Sequence, residues 1–255
     1  MPEALPIFAL HGWGLNAATL APLADAFGDH EFMPVDLPGH GARRDEPFGR
    51  NLDALVEGLL AQAPSRAVWL GWSLGGMLAM VAAEAAPERV AALVTVASSP
   101  SFVARPDWPQ GMPAERLQRM ASDLSADMQQ TVDDFLTLQV LTSRGGRAAL
   151  RQLQASLHER GMASQQALDD GLHVLEVLDL RDRLSTLAMP VLAMGGARDR
   201  LVRPAAIEAW AAMVPHGRAC IFEDAAHAPF LSHREAFAGR VNEFLRAEVD
   251  SHDTA

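Results

Sequence analysis

Short apolar runs alternate along this chain with longer amphipathic stretches. Residues 7–10, 32–36, 67–72, 91–97, 191–195 and 219–222 are brief, largely apolar and followed by turn residues. That is the pattern of parallel strands buried on both faces. Between them, residues 74–86, 204–214 and 232–249 carry helical periodicity. Strand and helix in alternation predict an α/β fold, a mostly parallel sheet covered by helices on both sides.

The alternation stops between about residues 100 and 183. Apolar positions there recur at helical spacing: Leu117 and Met120; Val132, Phe135, Leu136 and Leu138; Leu150, Leu153 and Leu157; Leu172, Leu175 and Leu178. Gly145, Gly146 and Gly161 punctuate the stretch. The expectation is a core of residues 1–100 and 184–249. A helical cap, residues 101–183, is inserted over the C-terminal edge of the sheet. Residues 250–255 form a polar tail. An ordinary helical subdomain with packing duties alone is the plainer alternative for the insertion.

Composition narrows the classes. A chain of 255 residues, 49% hydrophobic, suits one domain, or one with an insertion, around a large core. No apolar run approaches the roughly 18 residues that would span a bilayer. Residues 1–6 lack a basic segment leading into an apolar one, so they do not read as a secretory signal, and the cytoplasm is the expected location. The net charge of −11 gives no electrostatic reason to bind nucleic acid or an anionic membrane. The single cysteine, Cys220, excludes an internal disulfide and a multi-cysteine metal site, and reads as core filler. All 21 basic residues are arginine. Schiff-base, pyridoxal and P-loop chemistries, which need a particular lysine, fall away. There is no tyrosine to act as acid, nucleophile or donor.

The strongest local signal is Gly71-Trp72-Ser73-Leu74-Gly75, a G-x-S-x-G sequence between an apolar strand and a helix rich in Ala, Leu and Met. In that context it reads as a nucleophile elbow. A serine hydroxyl needs a base, and His227 sits among small residues after the last strand. His11 and His40 lie in Gly-rich loops and read as shaping backbone. His30, His158, His173, His216, His233 and His252 read as surface or helix residues. No H-E-x-x-H pattern supports a metal. Asp199, in the loop after strand 191–195, is the candidate acid that fixes the imidazole, and the order Ser, Asp, His is the one such folds use. Asp182 is the second choice, while Glu223 and Asp224 stand too near His227. The backbone N–H groups of Leu74 and Trp13 are the candidate oxyanion donors. The Trp13 ring reads as a wall of the acyl pocket, with plain core packing as the alternative.

Residues 11–16 (HGWGLN), 36–41 (DLPGHG), 71–76 (GWSLGG), the Asp199 loop and 226–230 (AHAPF) together resemble the α/β-hydrolase superfamily. With residues 101–109 (SFVARPDWP) and 135–139 (FLTLQ), the chain resembles more narrowly the pimeloyl-[acyl-carrier protein] methyl ester esterases of biotin synthesis. The resemblance implies a cofactor-free serine carboxylesterase working through an acyl-enzyme, with the cap inserted after the sixth strand of the usual fold. Phe135, Leu136, Thr137, Leu138 and Gln139, with Trp13, Ser73, Leu74 and His227, would then contact substrate. It further implies a transient partner, an acyl carrier protein bearing the substrate, and a monomeric enzyme. Such carriers are acidic, and the family docks them through basic cap residues. Arg147 and Arg151, i and i+4 on one helix, with Arg144 nearby, are the candidates here; a solvated helix face is the bland reading. Gln130, Asp133 and Asp134 on the preceding helix supply no positive charge. The first His-Gly turn comes early, at His11, so the sheet is expected to be one or two strands smaller than usual.

Other chemistries stay open. A general short-chain carboxylesterase or lactonase would share the triad, and cofactor-free haloperoxidase-like or carbon–carbon hydrolase chemistry uses similar motifs. A ligand sensor with a hydrolase triad and slow turnover would differ in class. Ser73 argues against the dehalogenases and epoxide hydrolases of this fold, which use an aspartate nucleophile.

Overall fold

The computed structural model describes residues 4–250. Six strands form one sheet: β1 (Ile7–Leu10), β2 (Phe32–Val35), β3 (Ala67–Trp72), β4 (Val90–Val96), β5 (Val191–Gly196) and β6 (Gly217–Phe222). Their order is β2-β1-β3-β4-β5-β6, and every pairing is parallel. β1, β3 and β5 are buried along their whole length. The outer strands β2 and β6 are only partly covered. The expectation of burial on both faces therefore fails at the two edges, where one neighbour is missing. Cys220, on edge strand β6, is partly buried and packs against the core.

Helices α1 (Leu52–Gln62), α2 (Leu74–Ala85), α7 (Pro204–Ala211), α8 (Pro229–Ser232) and α9 (Arg234–Leu245) belong to this layer structure. α2 packs on β3 and β4, and α7 on β5 and β6. Residues Leu74 through Ala83 of α2 are all buried, which explains a sequence of Ala, Gly, Leu and Met with no polar face. The helix expected over 232–249 is interrupted at His233, whose φ of −134° and ψ of 41° separate α8 from α9. Likewise α7 ends at Ala211, short of residue 214.

Between β4 and β5 run four helices: α3 (Ala114–Ala126), α4 (Met128–Val140), α5 (Gly146–Arg160) and α6 (Gln165–Val177). Polar ties bind them to the strand loops. Trp13 Nε1 donates to the Leu168 carbonyl at 2.8 Å, Asn16 to that of Ser156 at 3.0 Å, and Arg160 pairs with Asp36 at 3.0 Å. Among the described residues no helix is long and apolar enough to cross a membrane.

The loops after β1 and β2 hold a buried polar cluster. His11 Nε2 accepts from Leu37 N at 3.0 Å while Nδ1 faces the Gly12 carbonyl at 2.8 Å. The ring is therefore neutral, with its proton on Nδ1. His40 Nδ1 faces the Pro38 carbonyl at 2.9 Å. Both histidines do shape backbone. Burial lowers His11 from 6.5 to about 4. Burial, then the adjacent His11, lowers His40 from 6.5 to about 3. Burial alone would raise Asp36, but the Ala17 and Ala42 amides, His11 and Arg160 hold it below the ordinary carboxylate value. His30 is not a surface residue: its ring is sheltered and faces the Leu5 carbonyl at 2.7 Å.

A pH dependence of stability follows. A histidine kept neutral when folded contributes stability that is complete above its unfolded value of 6.5 and is lost as pH falls towards its folded one. Asp36 acts in the same sense at lower pH. Between neutrality and about pH 5, urea unfolding should show a loss of roughly 2 kcal/mol per histidine. A flat stability curve across that window would contradict the neutral buried pair.

Candidate active site

The chain reverses its direction of winding between β1 and β3, and crevices at such points collect ligands in open α/β sheets. The loops after β1 and β3 meet there. Ser73 follows β3 with φ 55° and ψ −118°, a conformation rare for any residue with a Cβ. Its amide donates to the Val96 carbonyl at 2.9 Å. Its carbonyl accepts the Ser98 hydroxyl at 2.8 Å. The two glycines of the motif make the turn possible. A Cβ on Gly71 would lie 2.4 Å from the Gly75 carbonyl oxygen, and one on Gly75 2.5 Å from those of Leu10 and His11. Strand, helix and the β1 loop could not approach so closely with any side chain there.

His227 lies in the loop after β6 and is held on both sides of its backbone. Its amide donates to the Gln139 carbonyl at 2.9 Å, and its carbonyl accepts from the Trp72 indole at 2.9 Å. The ring Nδ1 stands 2.8 Å from Asp199 Oδ2, with the two side chains 1% and 0% exposed. The other carboxylate oxygen accepts from Leu201 N at 2.7 Å and Val202 N at 3.1 Å. An ionised acceptor at Nδ1 places the ring proton there and leaves the lone pair on Nε2. That atom is buried and has no hydrogen-bond partner, Ser73 included. Such contacts are often long until substrate binds.

The alternative acids lie elsewhere. Asp182 is exposed in the short helical turn Arg181–Thr186, and Glu223 is exposed. Asp224 is paired with Arg198. Gly12 packs against the nucleophile turn: a Cβ there would meet the Ser73 Cβ at 3.4 Å. Of the expected oxyanion donors, Leu74 follows the serine directly and Trp13 follows Gly12. The Trp13 ring does not wall an open pocket. It is 1% exposed, hydrogen-bonded to Leu168 and set edge-on to Phe135 with centroids 5.0 Å apart.

The 135–139 segment divides as a helix must. Phe135 and Leu138 line a cavity of about 440 Å³ between α3 and α4, together with Met112, Met120 and Leu201. Leu136 is fully buried, and the Thr137 hydroxyl bonds back to the Asp133 carbonyl at 3.0 Å. The Gln139 side chain is buried with its amide nitrogen unpartnered. Arg144, Arg147 and Arg151 are exposed and form no ion pair among the described residues. Close by, Leu141 is 65% exposed. Burial raises the Cys220 thiol, which suits no nucleophile. Among the described residues no three His, Cys, Asp or Glu side chains cluster as a metal site.

Sequence reasoning missed Ser98, Trp72 and the Gln139 carbonyl, which fix the backbones of Ser73 and His227. A hydroxyl or carbonyl that acts across a tertiary contact leaves no local pattern.

Comparison with known proteins shows the family of the chain. The model of the alpha/beta hydrolase family matches residues 7–240. A pimeloyl-[acyl-carrier protein] methyl ester esterase of Xanthomonas campestris pv. campestris (strain B100) is 42% identical over 239 residues, 93% of this chain and 94% of that protein. One from Klebsiella pneumoniae subsp. pneumoniae is 44% identical over 230 residues, 89% of this chain and 88% of that protein. Among solved structures, an esterase from Exiguobacterium antarcticum superposes with a TM-score of 0.86 at 21% identity, covering 96% of this chain and 93% of that one. The chain belongs to the alpha/beta hydrolase family, as one of its carboxylic ester hydrolases.

Proposed function

We propose that this enzyme hydrolyses the methyl ester of a pimeloyl chain carried on acyl carrier protein, with Ser73, His227 and Asp199 as its catalytic triad. The observation that carries the chemistry is the buried His227–Asp199 pair at 2.8 Å, with His227 Nε2 unpartnered and its carbonyl held by Trp72, the residue before Ser73 on its strained turn. The substrate comes from the two relatives, similar over about nine-tenths of the chain.

Ser73 Oγ attacks the ester carbonyl as His227 Nε2 takes its proton. The carbonyl oxygen gains charge and rests against the Trp13 and Leu74 amides. The C–O bond to methoxide breaks, and the imidazolium returns the proton to give methanol. Water then attacks the acyl-serine carbonyl as His227 Nε2 takes one of its protons; the C–O bond to Ser73 breaks, and the imidazolium returns that proton to Ser73 Oγ. The product is the free carboxylic acid. The cavity beside Phe135 and Leu138, which Arg116, Arg119, Asp123, Asp127, Gln130 and Asp134 also line, is the approach proposed for the acyl chain.

The carrier docks on the cap, residues 101–183, where Arg144, Arg147 and Arg151 stand free beside exposed Leu141. An acidic partner gains from this patch despite the overall charge of −11, because charges beyond about 8 Å are screened at physiological salt. Arg147→Glu with Arg151→Glu should raise KM for the carrier-linked ester by about tenfold, with kcat kept. Dimethyl pimelate, which carries no carrier, should be unaffected. Equal effects on both substrates, or none on either, would remove the docking role.

A further inference from the structure

We propose that Arg198, Asp224 and the turn between α4 and α5 form a clasp that positions the Asp199–His227 pair. The proposal rests on the triad just described and adds residues that touch neither substrate nor the reacting atoms.

The acid loop after β5 and the base loop after β6 lie side by side. Arg198 N donates to the Ala225 carbonyl at 2.9 Å, and Ala197 N to that of Phe222 at 2.9 Å. At their rim the Arg198 guanidinium pairs with the Asp224 carboxylate. The turn then reaches both loops. On the acid side, the Thr142 hydroxyl donates to the Arg198 carbonyl at 2.9 Å, and Arg198 Nη1 to the Thr142 carbonyl at 3.4 Å. On the base side, Arg144 N donates to the Asp224 carbonyl at 2.9 Å and the Ser143 hydroxyl to the same oxygen at 3.4 Å. One helical turn earlier, the Gln139 carbonyl takes the His227 amide.

These bonds bracket the two catalytic side chains at their nearest neighbours in sequence. Arg198 precedes Asp199, and Asp224 stands three residues before His227. The loops contain little regular structure of their own, so the position of their backbones depends on such ties. The pair is half-exposed, with side chains 48% and 42% accessible. An ion pair of that kind contributes little to stability. Its effect lies in alignment, where a displacement of an ångström costs rate steeply. The clasp therefore separates turnover from stability.

The test uses the full chain and p-nitrophenyl acetate, a substrate that needs neither carrier nor cap docking. Arg198→Ala should lower kcat about tenfold, with KM within about twofold. Its Tm should stay within about 2 °C of wild type. Thr142→Val should lower kcat in the same way, and Thr142→Ser, which keeps the hydroxyl, should not. Exchanging the charges, Arg198→Asp with Asp224→Arg, should recover part of the lost kcat. An unchanged kcat in Arg198→Ala, or a loss that follows Tm across the four variants, would overturn the clasp. A wild type inert towards the ester would instead overturn the triad beneath it.

Discussion

Ser73→Ala should remove ester turnover, lowering kcat by roughly 10⁴–10⁶-fold while leaving the protein folded. The size of the loss follows from the absence of any substitute. The chain has no lysine and no tyrosine. Its one cysteine lies on edge strand β6 with a raised thiol pKa. The residual rate over water would come from the Trp13 and Leu74 amides and from substrate binding. Folding should be indifferent to the change. Alanine meets the same penalty at φ 55° that serine already bears. The backbone bonds to Val96 and Ser98 use main-chain atoms that the substitution keeps. Stopped assays of ester hydrolysis with Tm in parallel check both halves. Activity that survives the substitution would move the nucleophile elsewhere.

Asp199→Asn should cost about 10⁴-fold in kcat, more than a simple loss of charge would suggest. The reason is in the partners of the two oxygens. Oδ1 accepts from two backbone amides, Leu201 N and Val202 N. An asparagine must offer its carbonyl oxygen to them, since its NH₂ cannot accept. The NH₂ group is thereby turned towards His227 Nδ1. A donor facing Nδ1 forces the ring proton to Nε2, the atom that must take the proton of Ser73. The variant keeps the shape of the site and carries the wrong tautomer. Steady-state kinetics beside an unchanged Tm would show this; a variant within about tenfold of wild type would mean that Asp199 does not set the tautomer.

What the sequence carried and what it withheld have a physical division. The nucleophile turn was legible because three demands fall on five consecutive residues: a strand before, a helix after and no Cβ at Gly71 or Gly75. Asp199 and His227 were legible as loop residues after apolar strands. The burial of β2 and β6 was misjudged because a strand's place at the edge of a sheet depends on partners far away in sequence. The 135–139 segment was read as one lining surface. Helical geometry sends Leu136 into the core and Phe135 and Leu138 to the cavity. The Trp13 ring went to core packing because the Leu168 carbonyl, 155 residues on, satisfies its indole. The ties of Arg160 to Asp36 and of Thr142 to Arg198 are likewise contacts between distant segments, invisible to periodicity.

The most direct measurement is methanol release from the methyl ester of pimeloyl-acyl carrier protein, wild type against Ser73→Ala, with p-nitrophenyl acetate alongside. The expected result is demethylation of the carrier-bound ester by the wild type, at a higher kcat/KM than for the nitrophenyl ester, and none by the variant. Rapid turnover of the nitrophenyl ester with the carrier-bound ester untouched would contradict the assignment, leaving an esterase of the same fold that acts on a different acyl group.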